Sequence, residues 1–133
     1  MDPKKSGAHG EVEKNAFRSL PPYSEITAGH LSRLTLMKLL PSLVEQDLQN
    51  FGSALTEIQS IVGEHFSPAQ GGTPWSSLSV GKIIKKLGAL GAKGLGQTSW
   101  GPTGFVFVAN DAEAEDLYSS TKEEARSLGL EMK

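Results

Sequence analysis

The residues best suited to chemistry lie in one glycine-rich stretch, residues 94–104, immediately before an apolar run. Its candidate ligand-binding members are Gly94, Gly96, Gln97, Thr98, Ser99, Trp100 and Gly101. Glycine lets a backbone approach a ligand closely, and successive backbone N–H groups can form a concave nest for an oxyanion or a phosphate. We therefore predict a phosphate-binding loop, with Lys93 beside it as the nearest cation. The alternative is an ordinary tight connection into a strand, because glycine loops are common turns.

Other catalytic patterns do not match this stretch. A Walker loop requires a lysine directly after its second glycine, whereas Ala92 separates Gly91 from Lys93. A dinucleotide fingerprint requires a third glycine and opens a helix, whereas this stretch opens a strand. The histidines are too widely spaced to form a paired metal motif, so we predict no metal site made by this chain. They are His9, His30 and His65.

Length and composition restrict the protein class. With 133 residues the chain has the size of one domain, and its net charge of −2 gives no reason to expect nucleic-acid binding. Because the sequence has no cysteine, disulfides, thiolate metal sites and a cysteine nucleophile are excluded. No apolar run approaches the roughly 20 residues that a membrane span needs, and we predict a cytoplasmic protein.

We interpret residues 1–10 as a flexible lead-in and residues 11–133 as the domain. A short helix begins near Gly10 and stops at Pro21 and Pro22. Ser24 or Thr27 can cap the next helix, which carries too many leucines for a narrow stripe, so we predict that it is largely buried. Those leucines are Leu31, Leu34, Leu36, Leu39 and Leu40.

The clearest amphipathic helix follows, because its apolar residues recur three and four positions apart. They are Leu48, Phe51, Leu55, Ile58 and Val62. Further on, Ser76 or Ser77 can cap another helix, a strand is predicted at about 104–109, and Asp111 can cap the last helix. Residues 130–132 could form a final short strand. These elements predict an α+β fold with about four helices packed on one face of a small antiparallel sheet.

The run from Gly94 to Thr103 resembles the third conserved motif of the GHMP kinase superfamily. Its form, Gly-x-Gly-Gln-Ser/Thr-Ser-Trp-Gly-Pro-Thr, is typical of the β-ribofuranosylaminobenzene 5′-phosphate synthases. Supporting matches occur in the same order at Gly10–Glu13 with Phe17, at Leu40–Pro41 with Asp47 and Phe51, and at Gln70–Gly72. The resemblance covers nearly the whole chain from about residue 7, and it implies the ferredoxin-like C-terminal domain of that superfamily.

The resemblance also implies a reaction and a set of ligands. In that family 4-aminobenzoate or 4-hydroxybenzoate attacks C1 of phosphoribosyl diphosphate, with loss of carbon dioxide and diphosphate. The enzymes are therefore transferases of one-carbon metabolism, and they catalyse the first step of tetrahydromethanopterin biosynthesis. Such a step needs an anion cradle and usually Mg²⁺, and the hydroxyls of Thr98 and Ser99 could supply part of the cradle. Trp100 could stack on an aromatic acid or could brace the loop as a core indole. Further contacts to the site, or for the two glutamates a solvated helix start, are predicted at Glu11, Glu13, Gln70, Gly71 and Gly72.

Members of the family carry a first domain with a separate phosphate loop, and this chain contains no such loop. We therefore expect no turnover from these residues alone, and we expect a missing N-terminal domain or a partner chain to complete the site. A homo-oligomer that binds a small phosphate ligand is predicted. Two alternatives remain, namely the C-terminal domain of a small-molecule kinase that binds ATP, and a non-catalytic binding or dimerisation module.

Overall fold

The computed structural model describes residues 1–6, 9–99 and 101–133. Within these residues the chain forms six α-helices and one antiparallel pair of strands. The helices are α1 Glu11–Ser19, α2 Glu25–Leu34, α3 Leu40–Val44, α4 Leu48–Phe66, α5 Leu78–Ala89 and α6 Asp111–Ser127. The strands are β1 Gly94–Gln97 and β2 Gly104–Phe107. The predicted α+β class with a small antiparallel sheet is confirmed, and no described helix has the length and apolar character needed to cross a bilayer.

The glycine-rich stretch is a β-hairpin, so its interpretation as one continuous loop was wrong for its first four residues. Gly94 of β1 pairs with Phe107 of β2, and Gln97 pairs with Gly104. Residues 98–103 form the connection between the strands. The strand predicted at about 104–109 is therefore present over Gly104–Phe107, and its partner β1 was missed because glycine has a low strand propensity.

Helix α4 lies against β1 at a distance that only glycine permits. A Cβ added to Gly52 would stand 1.8 Å from the carbonyl oxygen of Lys93, and one added to Gly94 would stand 2.9 Å from Cα of Gly52. At this distance Thr56 Oγ1 accepts a hydrogen bond of 3.1 Å from Leu95 N. One turn later Gln59 Oε1 accepts a bond of 3.2 Å from Gln97 N. Side chains of α4 thus satisfy the backbone donors on the free edge of β1.

Helix α5 supplies most of the buried core. Its inward residues Val80, Ile83, Ile84 and Leu87 are 4–5% exposed and pack with Ala125 of α6. Ser77 caps the helix, since its hydroxyl accepts a hydrogen bond from Val80 N. A Cβ at Gly104 would meet Ile84 Cγ1 at 2.5 Å, so β2 also needs a glycine where it crosses α5.

The leucine-rich segment from α2 to α3 is not largely buried, which corrects the sequence prediction. Helix α2 begins after the Ser24 cap, and the chain continues without a break through a π-helical segment, Thr35–Leu39, into α3. Leu34 is buried, whereas Leu36 is 63% exposed. The reason is that only one side of this long helical segment packs on α4 and its other side has no neighbour among the described residues.

Both ends of the chain meet beside α5. Met1 and Glu131 exchange two backbone hydrogen bonds, and the carboxylate of Asp2 accepts a bond of 2.7 Å from the Ser77 hydroxyl. The hydroxyl of Ser77 holds the pKa of Asp2 below its usual value. Residues 1–6, predicted as part of a flexible lead-in, therefore make specific contacts. Residues 130–132 pack on the core without forming the strand that was predicted.

Candidate functional site

The connection between β1 and β2 is held by its own backbone. Thr98 N donates to the Thr103 carbonyl at 2.9 Å, and Gly101 N donates to the Thr98 carbonyl at 2.7 Å. The backbone of Ser99 lies in the left-handed region with a φ of 43°, which residues other than glycine rarely adopt. A non-glycine residue held in this conformation at a turn is a frequent mark of a functional position.

A network of carboxamides fixes the base of this turn. Gln97 Nε2 donates to Gln70 Oε1 at 2.9 Å and to the Ser99 carbonyl at 3.2 Å. Gln97 Oε1 accepts a bond of 3.0 Å from Ser76 N, and the Ser76 hydroxyl donates to Gln70 Oε1 at 2.7 Å. Because these side chains are half-buried, their hydrogen bonds define one rotamer for each amide.

A cavity of about 150 Å³ opens beside the network. Its polar wall consists of Gln59, Gln70, Gln97 and Ser99, and its apolar wall consists of Phe17, Val62, Gly63 and Phe66. The rings of Phe17 and Phe66 meet edge to face with their centroids 5.5 Å apart. The arrangement joins an aromatic wall from α1 and α4 to an amide and hydroxyl wall from the hairpin, from α4 and from the segment that follows α4.

The lining of this cavity contains no titratable side chain among the described residues. The carboxyl groups whose pKa is lowered by hydrogen bonds, Asp2, Asp47 and Glu124, do not line it. Nearby, burial raises the pKa of Tyr23, which stacks on His65 with 3.8 Å between centroids. The site can therefore bind and orient a ligand by hydrogen bonds and apolar contact, whereas general acid or base chemistry would need a group from elsewhere.

The residues around the turn do not fit a Mg²⁺ site of their own. Mg²⁺ prefers carboxylates, phosphate oxygens and water, and the cavity offers only neutral amides and a hydroxyl. In the described parts of the chain, no group of three or more histidine, aspartate or glutamate side chains could hold a metal ion.

The structure separates the predicted site residues into two groups. Gln97, Thr98, Ser99 and Gly101 lie at or beside the turn, and Gln70 joins them through its bond to Gln97. Lys93, Gly94 and Gly96 lie in or before β1, and the first two are about 17 Å and about 13 Å along the strand from the turn at ~3.3 Å per residue. Gly96 instead faces α4, where a Cβ would stand 2.5 Å from Gln59 Cγ.

The remaining predicted residues lie outside the network. Gly71 and Gly72 have positive φ angles in the turn after Gln70, and a Cβ at either would meet nothing within 4 Å. Glu11 forms an exposed ion pair of 2.9 Å with Lys14, and Glu13 lies one turn before Phe17 on α1. Trp100, predicted to stack on a ligand or brace the loop, lies outside the described residues.

Six contributors to the site were not among the predicted site residues, namely Phe17, Gln59, Val62, Gly63, Phe66 and Ser76. Gln59 has a recognisable sequence signal, because Gly52, Thr56, Gln59 and Gly63 recur every three or four residues on α4. On an amphipathic helix, a stripe of glycines and short polar residues beside the apolar face indicates a side that meets a backbone edge. Phe66 is the last residue of α4, and its ring lines the cavity only because α1 and the hairpin pack around the end of that helix. Ser76 reaches the site only through the folding of the 67–77 connection, for which the sequence offers no comparable pattern.

Comparisons with known proteins give one family and two relatives. The family described as GHMP kinases C terminal matches residues 39–127. A beta-ribofuranosylphenol 5'-phosphate synthase of Archaeoglobus fulgidus is 32% identical over 129 residues, which covers 97% of this chain and 37% of the relative. The enzyme of the same name from Methanothermobacter thermautotrophicus is 31% identical over 114 residues, which covers 86% of this chain and 32% of the relative. The chain thus spans about a third of the length of these relatives.

Proposed function

The chain belongs to the family of GHMP kinase C-terminal domains, and we propose that it forms the C-terminal domain of a synthase that joins an arenecarboxylate to phosphoribosyl diphosphate. The resemblance noted in the hairpin sequence is confirmed by the family match and by the two synthase relatives. The names of those relatives describe a ribofuranosylphenol phosphate as the product, which supports a phenol ring as one half of the substrate pair. We further propose that the product enters tetrahydromethanopterin biosynthesis.

The cavity beside the hairpin turn is the observation that carries this proposal. Its volume of about 150 Å³ is that of a cavity that accommodates one benzene ring. Phe17, Val62 and Phe66 offer apolar surface for the faces and edge of such a ring. Ser99 places a hydroxyl at the opposite wall, where it can donate to a ring carboxylate or accept from a ring hydroxyl. Gln97, whose amide hydrogens bond to Gln70 and to the Ser99 carbonyl, holds that wall in place.

The reaction itself assigns this domain a positioning role. The ring carbon that bears the carboxylate forms a bond to C1 of the phosphoribosyl group, and the C1–O bond to diphosphate breaks. The carboxyl carbon then leaves as carbon dioxide, and its bonding electrons restore the aromatic ring. The described residues would hold the ring and exclude water from one side, because holding a reactant in the right orientation lowers the barrier without any proton transfer by the domain.

The groups that bind the diphosphate are proposed to come from outside these 133 residues. The chain spans about a third of its relatives, and its cavity lacks the cations and carboxylates that a diphosphate with Mg²⁺ would need. We therefore propose that a preceding domain or a partner chain supplies a phosphate loop, and we expect the 133-residue chain by itself to bind the ring without turnover.

An NMR titration of the amide signals tests this proposal. We expect 4-hydroxybenzoate or 4-aminobenzoate to shift signals of Phe17, Phe66 and residues 97–99. Gln97→Ala should weaken binding about tenfold, because it removes the amide that anchors the turn to Gln70. Gln49→Ala, at an exposed position of α4, is the matched control and should bind like the wild type.

Two outcomes of that titration would contradict the proposal. If neither benzoate shifts the hairpin signals while ATP does, the domain is that of a small-molecule kinase. If neither benzoates nor phosphoribosyl diphosphate nor ATP shift any signal, the domain is a non-catalytic module.

A further inference from the structure

The side chains that line the cavity beside the carboxamide network are ordered by polarity along α4. The helix contributes Gln59, Val62, Gly63 and Phe66, whose spacings of three and four place them on one face. At about 1.5 Å per residue, Gln59 and Phe66 lie about 10 Å apart along the helix axis. A small ring acid between them therefore meets a carboxamide at one end and an aromatic ring at the other.

The backbone of β1 fixes the orientation of the Gln59 amide. Gln97 N can only donate, so the atom of Gln59 that lies 3.2 Å from it is the acceptor Oε1. The other end of the same amide is Nε2, which has no hydrogen-bond partner among the described residues. Because every fully buried polar side-chain atom in these residues has a partner, Nε2 is open to solvent. Gln59 thus presents two N–H groups that a ligand can use.

The other polar groups of this wall also present donors. Gln97 uses both its N–H groups, on Gln70 Oε1 and on the Ser99 carbonyl. Gln70 Oε1 accepts two hydrogen bonds, from Gln97 and from Ser76, whereas its Nε2 makes one long bond of 3.4 Å to a backbone carbonyl. The donors that remain for a ligand are Gln59 Nε2, the second N–H of Gln70 and the Ser99 hydroxyl.

We propose that Gln59 is the specificity-determining residue that recognises the carboxylate of the ring acid, with Gln70 and Ser99 as secondary donors. This assignment rests on the proposed function, because it takes the aromatic acid as the occupant of the cavity. A carboxylate only accepts hydrogen bonds, and its two oxygens match a set of donors better than a neutral ring substituent does. The ring then lies toward Val62 and Phe66, and its 4-substituent points away from Gln59.

An NMR titration of the wild-type chain with two matched ligands tests the assignment. 4-Hydroxybenzoate and 4-hydroxybenzamide have nearly the same size, but the amide places N–H groups where the acid has an oxygen. We expect the acid to bind at least about tenfold more tightly. The acid should shift the side-chain amide signals of Gln59 and Gln70, whereas those of Gln97 should move less because both its N–H groups keep their partners.

Gln59→Glu separates recognition of the ligand from the structural bond to β1. A glutamate oxygen can still accept from Gln97 N, so the contact between α4 and β1 is kept, but the N–H groups are lost and a negative charge is added. The preference should reverse, because 4-hydroxybenzoate should bind about a hundredfold more weakly and 4-hydroxybenzamide within about threefold of the wild type. Gln49→Glu is the matched control, since it adds the same charge at an exposed position about 15 Å earlier on the same helix and should bind like the wild type.

The results that would overturn this assignment differ from those that would overturn the proposed function. Equal binding of the acid and the amide by the wild type, or an equal loss of both in Gln59→Glu, would limit Gln59 to a structural role and leave the ring-binding domain standing. Displacement of the acid by an equal concentration of inorganic phosphate would indicate a general anion site. Shifts confined to Trp75 and Leu95 would place the ligand in the neighbouring cavity that Gln59 also lines.

Two further cases complete the test. The comparison of the two ligands on the wild type decides the assignment even if Gln59→Glu fails to fold. A wild type that binds neither ligand would overturn the assignment and the proposed function together.

Discussion

Replacing Gly52 with alanine tests the close approach of α4 to β1. The added Cβ would stand 1.8 Å from Lys93 O and 2.3 Å from Lys93 C. Since both atoms belong to the backbone, no side-chain rotation can relieve the overlap, and the helix has to move away from the strand. That movement would break the hydrogen bonds from Leu95 N to Thr56 and from Gln97 N to Gln59.

The magnitude follows from three contributions. Overpacking costs about 1–3 kcal/mol, and each backbone donor left without a partner costs about 1–3 kcal/mol. Alanine is favoured over glycine inside a helix by about 1 kcal/mol, which offsets part of the loss. We expect Gly52→Ala to lower the free energy of unfolding by about 2–8 kcal/mol, a large share of the ~5–15 kcal/mol that holds a typical domain.

Urea unfolding at 25 °C measures this change, and Gly29→Ala provides the matched control. Gly29 also lies inside a helix, but a Cβ there would meet nothing within 4 Å. The control should gain up to about 1 kcal/mol from helix propensity alone. Gly96→Ala should fall between the two, because its Cβ would meet the flexible side chain of Gln59 and no backbone atom. A Gly52→Ala variant as stable as the Gly29→Ala variant would refute the reasoning.

Three further outcomes follow from local contacts. Asp47→Ala should destabilise the chain by about 1 kcal/mol in urea unfolding, because Asp47 caps α4 by accepting from Asn50 N; Asp111→Ala should change little, since Asn110 and not Asp111 caps α6. Ser99→Gly should raise the free energy of unfolding by about 0.5 kcal/mol by relieving its positive φ, and a loss above about 1 kcal/mol would show that its side chain stabilises the turn. The free energy of unfolding, measured against pH, should fall as the solution is acidified through about pH 4. Hydrogen bonds from Ser77 to Asp2 and from Asn50 to Asp47 lower the pKa of both carboxyls, so the unfolded chain binds more protons than the folded chain in this range. An unchanged free energy of unfolding down to about pH 3 would contradict this.

Helix beginnings were predictable because their signals are local. Ser24 and Ser77 each cap the helix that follows them, as expected from a hydroxyl that reaches a backbone N–H three residues on. The last helix was predicted one residue too late, since Asn110 and not Asp111 is its cap. Both residues can serve as caps, and the sequence alone has no means of choosing between neighbours of equal capping ability.

The burial of apolar residues was predicted well only where other elements cover the whole apolar side of the helix. On α5 the apolar positions face β2 and α6 together, and Val80, Ile83, Ile84 and Leu87 are all buried there, whereas Leu78 at the first position of the helix is exposed. On the segment from α2 to α3 the leucines surround the helix, but only one side has a neighbour among the described residues. Periodicity states which residues share a face, and it does not state whether another element covers that face.

The sequence by itself determined the α+β class, the family and the candidate caps of α2 and α5, and it singled out Gln97 and Ser99 beside the hairpin turn. The caps and the hairpin residues were accessible because each depends on residues close together in the chain. Only the tertiary structure decided that Gln70 and Ser76 bond to Gln97 and that α1 and α4 complete the cavity with Phe17 and Phe66. These contacts join residues 21 or more positions apart. Their formation depends on how closely α4 approaches β1, which is set by the glycines at that crossing and by the packing of the whole domain.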